Sequence, residues 1–343
     1  MNFQQILCFL FNRLQKEKTA NAAYYIIQGK RSGQSLQDAR NYGLEPFFSI
    51  LPKLTMTQFE QEVDYLRREQ LMTIDEDNIV HMTAKGEQLI VPIKQHHFNG
   101  WYYRGNERIF FNRLALIVQT ASYMRVGEKR FLPIQHDPKI QLFVKQFLRG
   151  KSYTTPAFAA QLKEELHRLL QDQVENEIGK EVFVYRLTGY QYTGWTWLQI
   201  AKQLQMNPLD AQCALIETLH YLLQQIEQSN SVPLLTEIAK DIKLTITLTT
   251  SAKQTKQLFD VGKSIEEIAI IRQLKMSTIE DHMIEIAMND PDFPLHLFVS
   301  NEEQMAVRQF IAETKTKKLR PLKEQFSKLT YFQLRLILST PKG

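Results

Sequence analysis

Cysteine is nearly absent: Cys8 and Cys213 are the only two in 343 residues, far apart and outside any C-x-x-C spacing. That excludes a disulfide framework and a zinc site, and both thiols read as reduced core residues. Glycine and proline are also few, at 13 and 12, which argues against the turn-rich sandwiches and barrels. The apolar run from Ile6 to Phe11 is too short to cross a bilayer. It also lacks the basic flank and small-residue cleavage site of a signal peptide, so a cytoplasmic location without membrane contact is expected. No large charge of one sign is present either, the formal net charge being +5. Such a value permits a partner made of phosphates without demanding one.

Nucleotide-binding and hydrolytic signatures are missing as well. Gly262-Lys263-Ser264 mimics the end of a P-loop, but Gln257 stands where the upstream glycine belongs. Gly29-Lys30-Arg31-Ser32 fails in the same way, with Tyr24 at the glycine position and Arg31 at the hydroxyl one. No H-E-x-x-H or G-x-S-x-G run occurs. The expectation is a chain with no enzymatic activity and no cofactor.

What is abundant is helix-forming sequence. The apolar fraction is 43%, within the globular range, and Gln, Leu, Ile and Lys favour helices. The length suits two or three domains. Met1 to about Lys18 carries an apolar face of period 3.6. Helices follow over Ala22 to Gln28, Leu36 to Tyr42 and Met56 to Gln70. Two short strands come next, flanking an acidic turn at Asp75 to Asn78, and together these predict a winged-helix-like module over 1–92.

A middle helical domain is predicted over 93–235, with turns at Gly150, Gly179, Gly189 and Gly194. Its opening interleaves His96, His97, Trp101, Tyr102 and Tyr103 with Arg104, Arg108 and Arg113. Aromatics among cations suit single-stranded nucleic acid, but in a helical protein such rings more often form a packing seam. Adjacent His96 and His97 point differently, so a metal site there is disfavoured. Further on, Thr196 to Leu223 reads as a helix-turn-helix with its turn at Met206 to Pro208, a motif that is often structural alone. The Thr-rich stretch 236–252 reads as a strand or an extended connector.

The C-terminal domain, 253–343, carries the most specific pattern. Gly262 ends one helix in the left-handed conformation. Ser264 with Glu267, Ser277 with Glu280 and Ser300 with Glu303 then each have the spacing of a capping box. Ile265, Ile268, Ala269 and Ile271 are expected to face the core, as are Ile279, Met283, Ile286 and Ala287. These elements, with the tail from Leu319 to Leu338, resemble the helix-turn-helix domain that ends several RecQ-family DNA helicases. The same domain ends the YpbB family of Firmicutes, whose length and upstream layout are similar. That resemblance implies a partner, a RecQ-like helicase of the RecS type that lacks this domain and receives it in trans.

Whether the motif reads DNA depends on its second helix, whose expected outward residues are Thr278, Asp281, His282 and Glu285. Base edges are read by Arg, Lys, Asn and Gln, so two carboxylates here oppose sequence-specific readout and suit a protein partner better. Charge is segregated: 263–313 holds four basic residues against ten acids, a balance of −6, whereas 314–343 holds eight against one, a balance of +7. Lys315, Lys317, Lys318, Arg320 and Lys323 are therefore the expected phosphate contacts, with Thr278 and His282 the candidates on the helix. A solvated charged face is the plainer reading of the same run.

The sequence thus predicts a mainly α, multidomain protein: an N-terminal winged-helix-like module, a middle helical region and a C-terminal helix-turn-helix domain. The leading functional expectation is a non-catalytic accessory of a RecQ-like helicase, contacting duplex, forked or single-stranded DNA in repair or recombination. The alternative is a transcription regulator that grips an operator through the winged segment near 56–89. A third reading makes every helix-turn-helix a protein-docking surface.

Overall fold

The computed structural model describes residues 1–90, 92, 96–171, 176–244 and 248–340. Among them α-helices, short 3-10 turns at Glu45–Phe47 and Leu295–Leu297, and a two-stranded sheet make up the regular structure, the mainly α class expected. In chain order the elements are α1 (Phe3–Leu14), α2 (Ala20–Gln28), α3 (Gly33–Asn41), α4 (Met56–Arg68), β1 (Met72–Ile74), β2 (Val80–Met82) and α5 (Ala84–Glu87). They continue with α6 (Gly100–Tyr103), α7 (Glu107–Arg125), α8 (Pro138–Leu148), α9 (Pro156–Gln171), α10 (Glu177–Tyr185), α11 (Trp197–Gln203), α12 (Pro208–Gln228) and α13 (Pro233–Ile238). The last six are α14 (Thr250–Asp260), α15 (Ile265–Arg272), α16 (Met276–Asn289), α17 (Asn301–Thr314), α18 (Leu319–Gln325) and α19 (Tyr331–Ser339).

Two compact units result, and neither is continuous in sequence. Met1–Phe9, Ser49–Lys53 and Gln88–Leu244 form the first; Leu10–Phe48, Leu54–Glu87 and Thr245–Gly343 form the second. This partition differs from the sequential boundaries at 92, 235 and 252, because the winged segment and the C-terminal segment share a unit. Val91, at the expected end of the first module, lies outside the described residues, as does the centre of the Thr-rich stretch at 245–247.

The first unit is organised on α12. Leu209, Ala211, Cys213 to Leu223 and Ile226 are buried, so the helix is covered on every side, with α7, α9, α10, α11 and α13 as its neighbours. The expected turn at Gly179 is instead a packing site inside α10. A Cβ there would collide with Thr218 Oγ1 and the carbonyl of Ala214 on α12, so glycine allows the two helices to approach. Most of the aromatic-basic stretch is a packing seam, Tyr102 being the exposed exception. Trp101 and Tyr103 are 5% and 1% exposed, the Arg104 guanidinium lies 4.6 Å from the Trp101 ring centre, and Arg113 lies 3.7 Å from that of Phe143. His96 meets the Glu217 carboxylate at 2.6 Å. Among the described residues no group of three or more His, Cys, Asp or Glu side chains gathers as a metal site, and no helix is long and apolar enough to cross a membrane.

In the second unit a reciprocal capping box of Thr55 and Gln58 starts α4. β1 and β2 pair antiparallel in the register Met72 to Met82, Thr73 to His81 and Ile74 to Val80. The backbone at Lys16 and Lys18 bonds to Val80 on the other side of β2. Asp75 organises the wing tip, accepting from the amides of Asp77 and Ile79 and meeting His81 at 2.8 Å.

Candidate nucleic-acid interface

Local sequence accounts for the first half of the C-terminal motif. Gly262 has φ 84°, and the amides of Gly262 and Lys263 bond back to the carbonyls of Phe259 and Leu258, which closes α14 in a Schellman turn. Ser264 and Glu267 then cap each other to start α15. The residues that mimic a P-loop are thus a helix stop followed by a helix start. Ser300 and Glu303 cap α17 likewise.

The second helix departs from expectation. Ser277 makes no cap; Lys275, two residues earlier, is the N-cap of α16, with no side-chain cap at all. Gln273 takes a left-handed φ of 52° and Leu274 donates to the Ala269 carbonyl, so the tight turn sets the helix start. On α15 only Ile268 is buried, whereas Ile270 and Ile271 are 78% and 53% exposed. The expectation that Ile271 faces the core is therefore corrected. Ile279, Met283, Ile286 and Ala287 on α16 are buried as expected.

The larger correction concerns α16 as a whole. It lies among α3, α14, α15 and α19, and His282 to Met288 are all buried. Glu285, 4% exposed, accepts from the Thr249 amide and from Thr249 Oγ1, and so steadies the start of α14. Asp281 pairs with Arg335 at 2.8 Å, while Arg335 Nε donates to Gln37 on α3 at 3.0 Å. Burial lifts the Glu280 carboxyl above its ordinary value, and Asp281 adds to the rise. His282, 8% exposed, shares a 2.9 Å hydrogen bond with Thr255 Oγ1. Burial, then the Arg272 charge, holds the imidazole below its usual pKa. Of the four residues expected to face outward, His282 and Glu285 face the core, Asp281 is half-buried in an ion pair, and Thr278 is half-buried.

Arg272 is the clasp of the motif. From the last turn of α15 it donates to the Ser251 carbonyl at 2.7 Å, to Thr255 Oγ1 at 2.6 Å and to Gln254 Oε1 at 2.8 Å. It therefore ties α14 to α15 beside His282. The helix-turn-helix in the first unit likewise has a buried second helix, α12. In both motifs the helix in the recognition position packs against several neighbours of its unit, and on α16 the exposed residues are confined to the first turn, at Met276 and Ser277.

The cationic run is placed on the surface, but its five members differ. Lys315 is exposed at the left-handed end of α17, and Arg320, with an 87% exposed side chain, makes a surface pair with Glu324 at 3.0 Å. Lys318 is half-buried. Lys317 sits with its ammonium 5.5 Å from the centre of the Tyr42 ring. Lys323 is turned inward, donating to the carbonyls of Ser327 and Leu329 at 2.6 Å each. Lys317, Lys318 and Arg320 line a groove of about 350 Å³ with Lys18, Asp38 and Tyr42. Glu17 supports it, accepting from the Tyr42 hydroxyl, from Thr316 Oγ1 and from the Lys317 amide, and Lys18 neutralises Asp38 at 2.8 Å. Burial, then the Glu17 and Asp38 carboxylates, push the Tyr42 phenol far above its usual range. Sequence reasoning missed Glu17, Lys18 and Tyr42, which lie some 300 residues away from the run they support and carry no motif.

A protein with a helix-turn-helix domain at its C-terminal end is what this fold defines: a family model described as a helix-turn-helix domain matches residues 251–338, the class in which DNA binding is the common role. Over its whole length the chain is similar to Protein YpbB of Bacillus subtilis (strain 168), 28% identical over 335 residues that cover 95% of this chain and 94% of that protein. The resemblance read from the C-terminal motifs therefore extends through both units. No solved structure matches the chain.

Proposed function

We propose that the chain is a non-catalytic accessory protein that binds a RecQ-like helicase of the RecS type and supplies DNA contacts in trans during repair or recombination. The observation that carries this reading is the division of labour in the second unit. Asp281, Glu285 and His282 of α16 are satisfied internally, so this helix serves as scaffold, while Lys315 and Arg320 are exposed and Lys318 lines the groove half-buried. Binding through those cations is sequence-blind, because phosphates are the same at every base pair. That suits an appendage that follows a helicase along any DNA. The helix-turn-helix match and the full-length similarity to Protein YpbB support the same reading.

The operator-binding alternative meets opposing charge at the tip of the wing. The exposed face of α4 is balanced, Glu60 and Asp64 against Arg67 and Arg68, with Asp64 paired to Arg67 at 3.6 Å, but the wing tip is Asp75-Glu76-Asp77. A phosphate backbone repels such a tip.

Light scattering during size exclusion, on the full chain mixed with the cognate RecQ-like helicase at near-physiological salt, tests the proposal. A stoichiometric complex is expected. Separate elution, or strand separation by this chain alone, overturns it.

A further inference from the structure

Within the second unit, α14, α15 and the segment after α16 enclose a groove of about 640 Å³ that the DNA reading does not use. Its floor is aromatic. Phe259, Phe293 and Phe298 stack on one another with ring centres 5.7 to 6.2 Å apart, and Phe298 meets Phe332 edge to face at 5.7 Å. The floor is thus rigid and anchored to the core. Leu297 on the lining is 62% exposed, and Val261, next to the lining residue Gly262, is 72% exposed. Large apolar side chains left in water around an aromatic floor mark a contact surface.

The rim gives the occupant its chemistry. Lys256 is used internally, holding Asp260 at 2.9 Å and Asp290 at 3.0 Å, and Lys263 is held by Glu267 at 3.2 Å. Glu266 and Asp292 are exposed lining residues. Four carboxylates against two engaged ammonium groups make the rim negative. Such a rim repels nucleic acid and attracts cations.

We propose that this groove docks a segment of a protein partner in which an apolar anchor, of leucine or phenylalanine size, is flanked by Lys or Arg. The anchor fills the space over Phe259, Phe293 and Phe298 beside Leu297, and the flanking cations meet Glu266 and Asp292. The proposal rests on the accessory reading above for the partner's existence, while the groove chemistry stands on these residues alone. Protein and DNA then use opposite charges of one unit: the acidic rim for the partner, the cationic run for phosphates.

Fluorescence anisotropy on the full-length chain tests it with three short labelled peptides: one with a Leu and Phe anchor and Lys/Arg flanks, one with the same anchor and Glu flanks, and one with Ser in place of the anchor. The first is expected to bind best. Leu297→Ser, at an exposed position that leaves folding intact, should weaken it about tenfold, as loss of a central apolar contact does. Glu266→Lys with Asp292→Lys should transfer the preference to the acidic-flanked peptide. Failure of the first peptide to bind, equal binding of all three, or indifference to these substitutions overturns the proposal. The helicase separates the two inferences. If it co-elutes equally with the wild-type and Leu297→Ser chains, the groove proposal falls and the accessory reading stands. If the peptide preference holds but the helicase elutes alone, the accessory reading falls and the groove stands.

Discussion

Replacing cations of the 315–323 run one by one separates those proposed to meet DNA from those that hold the fold. In the structure Lys315 and Arg320 are exposed and Lys318 lines the surface groove, whereas Lys323 is committed to the carbonyls of Ser327 and Leu329. Each neutralised phosphate contributes about 0.9 to the slope of log K against log salt on duplex DNA, so the triple variant Lys315→Ala, Lys318→Ala, Arg320→Ala should lose about 2.7 of that slope. Over a fourfold rise in salt the wild type should then weaken by about 40-fold more than the triple variant. Lys323→Ala should leave the slope unchanged and cost about 1 kcal/mol of stability, because two carbonyls lose a charged donor in a half-exposed setting. The assay is fluorescence anisotropy with duplex, forked and single-stranded oligonucleotides across a salt titration, beside denaturant unfolding of each variant. A Lys323→Ala slope that falls as far as that of Arg320→Ala would refute the division of roles, and so would a triple variant with the wild-type slope.

Other expectations follow from burial and contact. Ile268→Ala should destabilise the second unit by about 2–4 kcal/mol, whereas Ile271→Ala should stay within about 0.5 kcal/mol, as read by urea unfolding; the reverse order would restore the sequence-based helix face. His282 has a folded pKa below its unfolded value. As pH drops below about 6.5 the unfolded chain takes the proton first, so stability present at neutral pH is lost toward acid. His282→Gln should flatten that part of the thermal-stability profile, and an unchanged acid slope would contradict the burial of the ring. Gly179→Ala forces a Cβ against Thr218 and the Ala214 carbonyl. It should cost the first unit about 1–3 kcal/mol by thermal unfolding, and a neutral outcome would mean that α10 and α12 do not approach so closely.

Features set by residues a few positions apart were legible in the sequence. The Gly262 helix stop and the boxes of Ser264 with Glu267 and of Ser300 with Glu303 are short-range contacts that the spacing alone specifies. So are the helical class and the wing between β1 and β2. The apolar period of α16 correctly marked Ile279, Met283, Ile286 and Ala287. It failed for His282 and Glu285, because a polar side chain reads as exposed unless its partner is known. Those partners, Thr255 and Thr249, lie 27 and 36 residues away. The second capping box failed for the same kind of reason: a left-handed Gln273 fixed the start of α16 before Ser277 could.

Charge shows the limit most plainly. The sequence determined that acids gather before Thr314 and bases after it, since that is a property of order along the chain. Only the tertiary structure decided which of those charges remain available. Asp281 is taken by Arg335, Glu285 by Thr249, Lys323 by two carbonyls, and Glu17 holds the Lys317 backbone from 300 residues away. A charged group left without a partner in a packed interior is costly, so folding recruits whichever groups the packing brings near. That pairing depends on three-dimensional neighbours and is written in no local pattern.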